Sequence, residues 1–216
     1  MKSTPTRGVK QYLKPNAYNQ SELDWTLMTI WANTAIINDY RRDNMPGGEF
    51  AVAALLLGLG DMVLNHCPND GCLARNEVPA YLGVSAGPVF FQENTTSEEI
   101  YLRHTTSIAH GPFNLTYGGS VTTDGETWVG LGESVNFIST NQRWYAQFHV
   151  MPGLYAEGNG ADLGGPIEIR SGAEVGYQAR NKMRYAVSYD HRSNGGIYGS
   201  NPGLETFQVR VSFPLN

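Results

Sequence analysis

From Tyr81 onward the apolar residues recur at every second position, and that period limits the chain to strands more firmly than any other feature it has. Behind the Asp124-Gly125 turn pair, Val129, Leu131, Val135 and Phe137 share one parity, while Gly130, Gly132, Ser134 and Asn136 share the other. Trp144, Ala146, Phe148 and Val150 alternate in the same way with Tyr145, Gln147 and His149. Ile167, Ile169, Ala173, Val175 and Tyr177 alternate with Glu168, Arg170, Glu174, Gln178 and Arg180. Successive side chains on a strand point to opposite faces, so each segment has one apolar and one polar face.

The pattern predicts about eight strands, over residues 81–92, 100–110, 113–123, 127–140, 144–157, 165–180, 183–193 and 204–214, close to the roughly 9 to 11 residues with which a tilted strand crosses a bilayer. Short connections around 111–112, 140–143 and 181–182 alternate with longer ones after the first, fifth and seventh strands. Membrane barrels show that asymmetry, and it puts residues 194–203 on the outer side. The expected fold is all-β: an eight-stranded antiparallel up-and-down barrel of outer-membrane type over residues 81–216, behind a partly helical N-terminal extension, residues 1–80. A soluble lipocalin-like barrel would turn the apolar face inward instead. Against that arrangement, the polar faces carry opposite charges, Glu168 with Arg170 and Glu174 with Arg180, joined by Arg184 and Arg210, as a closed interior needs. The apolar faces carry Trp144, Tyr185, Tyr189, Phe207 and Phe213, which suit a lipid-facing band with aromatic girdles.

The extension has a different rhythm. Leu23, Leu27, Ile30, Trp31, Ala35 and Ile37 recur at helical spacing after Ser21, which predicts a helix over 21–38. A turn at Met45-Pro46-Gly47-Gly48 then leads into the apolar run 50–59, preceded by Arg41 and Arg42, which reads equally as a buried helix or as a leader region. No standard signal peptide stands at residue 1. The extension can serve as a leader, dock on the barrel, or join a homo-oligomer or larger assembly. No run reaches the roughly 18 to 20 apolar residues of a spanning helix. Cys67 and Cys72 are either a local disulfide or two free thiols; with His66 they fall short of a zinc set, and His104 and His110 also lack ligand partners at suitable spacing. A net charge of −5, with 16% charged residues, argues against nucleic acid as a partner.

Chemistry concentrates in Ser188-Tyr189-Asp190-His191-Arg192-Ser193-Asn194-Gly195-Gly196, followed by Asn201-Pro202-Gly203-Leu204-Glu205. Parity places His191 and Ser193 on the apolar, outward face of the seventh strand, and Glu205 on that of the eighth. Three polar groups on a lipid-facing surface are costly unless they bond one another, which points to a function. A serine hydroxyl becomes a nucleophile when a histidine takes its proton and an acid orients that histidine. Asn194, Gly195 and Asn201 are candidate oxyanion donors or supports.

The order and spacing of His191-Arg192-Ser193-Asn194, Asn201-Pro202-Gly203 and Glu205 resemble the outer-membrane lipid A 3-O-deacylases of the PagL type, over roughly residues 81–216 and most closely between Arg184 and Phe213. The resemblance implies a serine esterase in the outer membrane that removes the ester-linked 3-O acyl chain of lipid A. Ser193 would be the nucleophile, His191 the general base and Glu205 its orienting acid, with lipid A or lipopolysaccharide and membrane lipid as partners. It implies neither metal nor organic cofactor. The competing expectation is a non-enzymatic structural or binding β-barrel subunit of a larger assembly.

Overall fold

The computed structural model describes residues 48–92 and 94–215; the helix expected over 21–38 lies outside them. Helix α1 (Gly48–Asp61) runs on through a π-helical turn, Met62–His66, into a loop closed by a Cys67–Cys72 disulfide. Nine strands follow: β1 (Arg75–Glu77), β2 (Ala80–Phe91), β3 (Asn94–His110), β4 (Phe113–Thr122), β5 (Thr127–Ile138), β6 (Trp144–Ala156), β7 (Ile167–Gln178), β8 (Arg184–Ser193) and β9 (Leu204–Leu215). Strands β2 to β9 form an antiparallel meander, and β9 pairs back onto β2 to close an eight-stranded barrel. The short β1 only extends the end of β3.

The eight barrel strands match the alternating segments, with one main difference. β3 begins at Asn94, so the connection after β2 is a two-residue turn where a longer loop was expected. Residues 94–99 carry no alternating apolar residues, but pairing with β2 gives their backbone groups partners. The long connections are 157–166 and 194–203, both at the end of the barrel where Ser193 lies.

Polarity is inverted relative to a soluble barrel. Val84, Leu102, Leu131, Leu154, Val187 and Val209 are exposed on the outer wall, while charged groups fill the interior. Arg103, Arg170, Arg184, Arg192 and Arg210 are buried there with Glu99, Glu126, Glu168, Glu174 and Asp190, so positive and negative charges balance. Arg170 donates to Glu99 (2.9 Å) and Asp190 (2.8 Å), and Arg192 pairs with the same Glu99. Nearer the other end, Glu174 accepts from Arg103 (2.7 Å), from Arg210 and from the Tyr145 hydroxyl (2.6 Å).

The partners differ from those expected. Arg180 lies in the exposed turn after β7, leaving Glu174 to arginines from β3 and β9. Glu168 does not pair with Arg170, because side chains two apart on one strand stand parallel, whereas Glu99 and Asp190 face Arg170 from other strands. Tyr101, Trp128, Met151, Tyr155, Leu163 and Leu204 pack together over this network, with the Arg170 guanidinium 3.8 Å from the Tyr101 ring centre. The inward positions Gly130 and Gly153 make room for Trp128, since a Cβ at either would strike its indole.

α1 is a helix packed on the barrel, as one of the two readings expected, but it is not buried. It lies against the outer wall of β5, β6 and β7 through Ala53, Ala54 and Gly58, and presents Val52, Leu55 and Leu56 away from it. A helix apolar on every side suits a site between an apolar wall and lipid.

Candidate active site

Antiparallel pairing between β8 and β9 sets the site. The register joins Val187 to Val209, Tyr189 to Phe207 and His191 to Glu205, all on the outward parity. At the last of these pairs the imidazole Nδ1 lies 3.1 Å from Glu205 Oε1. His191 is only 3% exposed and Glu205 is half-buried, so the bond is shielded from competing solvent. Ser193 follows on the same face, about 6.6 Å further along the strand at 3.3 Å per residue, beside Ile169 of β7. Among the described residues no hydrogen bond joins the Ser193 hydroxyl to His191, a contact that in such sites commonly tightens only with substrate bound.

Alternate residues of the same strand point the other way. Asp190 and Arg192 enter the buried network, and His149 Nε2 sits 3.2 Å from Asp190. β8 therefore carries two polar sets back to back. The inward set is tied into ion pairs that cross the lumen; the outward set has one bond and a hydroxyl beside it.

The oxyanion candidates separate. Asn194 is fully buried, and its amide donates to the carbonyls of Leu163 and Ser200, both at 2.7 Å, while its Oδ1 accepts from the Gly196 N–H at 2.9 Å. Both amide protons are thus spent on holding loops 157–166 and 194–203 together, so the side chain is a brace and not an oxyanion donor. Gly195 is exposed with φ +62°, a left-handed turn that suits glycine, and Asn201 is exposed. No cluster of His, Cys, Asp or Glu able to hold a metal occurs among the described residues. His66 pairs with Asp61 at 3.3 Å, and His104 stacks on Tyr117 with ring centres 4.8 Å apart.

The alternation gave no indication of the neighbour below the site. The Phe50 ring of α1 packs on Tyr189 with centroids 5.5 Å apart, two residues from His191. The small residues Ala53, Ala54 and Gly58 on one side of the apolar run were the available signal for a helix that packs closely.

The barrel portion has counterparts among known proteins. A family model described as lipid A 3-O-deacylase (PagL) matches residues 80–214. Among solved structures, the crystal structure of the outer membrane enzyme PagL superposes with a TM-score of 0.51 at 12% identity, covering 62% of this chain and 99% of that one. A de novo designed transmembrane β-barrel superposes with a TM-score of 0.48 at 11% identity, covering 63% and 95%. No curated protein matches the sequence.

Proposed function

Because the chain belongs to the lipid A 3-O-deacylase (PagL) family, an outer-membrane β-barrel family, we propose that it is a serine esterase in which Ser193, His191 and Glu205 hydrolyse the 3-O acyl ester of lipid A. The observation that carries this reading is the His191–Glu205 bond on a mainly apolar outer wall, with Ser193 next on the same face.

The carboxylate of Glu205 accepts from Nδ1–H, which fixes the tautomer and leaves Nε2 as the base. The Ser193 hydroxyl attacks the ester carbonyl while its proton passes to Nε2, giving a tetrahedral oxyanion and an imidazolium stabilised by Glu205. Collapse breaks the bond to the sugar oxygen, which takes the proton from Nε2 and leaves as the 3-hydroxyl of lipid A. Water, giving its proton to His191 Nε2, then attacks the acyl-serine carbonyl; the acyl–Oγ bond breaks, Ser193 Oγ takes the proton back from Nε2, and the fatty acid leaves. Backbone N–H groups around Gly195 are the nearest candidates to face the oxyanion. The ester arrives sideways through the outer leaflet, because the lumen is packed with ion pairs and capped by Trp128 and Tyr101.

Mass spectrometry of lipid A incubated with the purified protein tests the reading. The expected product has lost one ester-linked acyl chain from position 3, and Ser193→Ala leaves the substrate intact. Unchanged lipid A with wild-type protein would instead support a binding or structural barrel.

A further inference from the structure

α1 occupies a place where a bare eight-stranded barrel has only wall, and its course follows one row of the sheet. Tyr189, Ala173, Phe148, Val135 and Phe113 are successive cross-strand partners from β8 to β4. Phe50, near the helix start, meets Tyr189 at one end of the row. Gly58, near its finish, lies so close to Phe113 and Val135 at the other end that a Cβ would press on both. The helix therefore crosses β7, β6 and β5, one row below His191 and Ser171.

This splits the ground beneath the site into unequal halves. On the β7 side, Phe50 of the helix packs on Tyr189, and Ala173 beside it in the same row is half-buried, so the way down from Ser193 meets the helix. On the β9 side, Phe207 and Val209 remain 48% and 63% exposed. An acyl chain gains by covering bare apolar surface, and on the β7 side it would first have to displace a packed helix with an aromatic contact at its head.

We infer that α1 is a wall of the acyl site: it closes the β7 side below Ser193 and confines the scissile chain to a track over Phe207 and Val209. The inference rests on the proposed roles of Ser193, His191 and Glu205.

Val209 and Val175 flank Val187 at equal depth on opposite sides of β8, and both are exposed, so tryptophan at either position faces lipid and leaves the ladder intact. The test uses the full chain in detergent with p-nitrophenyl butanoate and p-nitrophenyl dodecanoate as short and long probes. Val209→Trp should lower the long-to-short ratio of kcat/KM about tenfold, the scale of one misfitted group in an apolar site, while Val175→Trp leaves it unchanged. Adding Phe50→Ala to Val175→Trp should make the ratio sensitive to that tryptophan. Equal losses in the two tryptophan variants, a loss at Val175→Trp alone, no change at Val209→Trp, or an intact mass showing that the purified protein lacks α1 would each overturn the wall. Hydrolysis that survives Ser193→Ala overturns the site reading; Ser193-dependent hydrolysis whose chain-length ratio responds to Val175→Trp overturns only the wall.

Discussion

Inside and outside, β8 carries polar groups of the same kinds in opposite circumstances. Facing the lumen, Asp190 and Arg192 join a network in which Glu99, Glu174 and Asp190 each meet two or more cations. Facing out, His191 has one bond among the described residues, to Glu205, and Ser193 stands beside it next to Ile169 with no bond to any of them. Groups locked into ion pairs across the lumen hold strands together, whereas one with a single orienting bond on the outer wall keeps a lone pair to use. On the proposed reading the inner set holds the fold and the outer set carries the chemistry, and the two can be broken separately.

The largest effect belongs outside. Ser193→Ala should lower turnover by roughly 10⁴-fold or more while the folded band persists in heat-modifiable gel mobility; retained hydrolysis would remove Ser193 from the nucleophile's role. Glu205→Ala should cost less, on the order of 10³-fold in initial rate, because His191 remains and loses only its orienting acid. Full activity in that variant would detach Glu205 from the site. The inner set should respond in the opposite sense: Glu174→Ala strands Arg103 and Arg210 and should lower stability by about 3 kcal/mol, read as unfolding at lower denaturant, with kcat on the surviving folded protein close to wild type. A variant of Glu174 that kept full stability but lost turnover would reverse the assignment. Smallest of all, Cys67→Ser with Cys72→Ser opens a loop at the barrel end away from Ser193 and should cost about 2 kcal/mol at most for so short a loop, with no change in rate.

The same contrast explains what the sequence made legible. Alternation along one strand is local, so the strands, the two faces and the outward placement of His191, Ser193 and Glu205 could be read from spacing. The identity of inner partners is not local. Glu99 lies 71 residues from Arg170 and 93 from Arg192, and the pairs exist only because the closed barrel brings those strands face to face. Arg180 matched the parity of Glu174 but fell past the end of β7, where the chain turns. Residues 94–99 look like loop because their polar run hides the register that pairing with β2 imposes. Asn194 was legible as important but not as a brace, since its partners belong to loops that fold back on it. α1 was ambiguous because an apolar run does not reveal whether its contacts are core, lipid or the outside of a sheet.

The interlocked lumen also bears on the cell's permeability. An ion threading the barrel would have to part the Arg170–Glu99–Arg192 cluster and then the Arg103–Glu174–Arg210 cluster, each separation costing several kcal/mol, before meeting the aromatic lid around Trp128. A lumen filled in this way offers ions no open path. An outer membrane can therefore hold many copies of such a barrel without leaking through any of them.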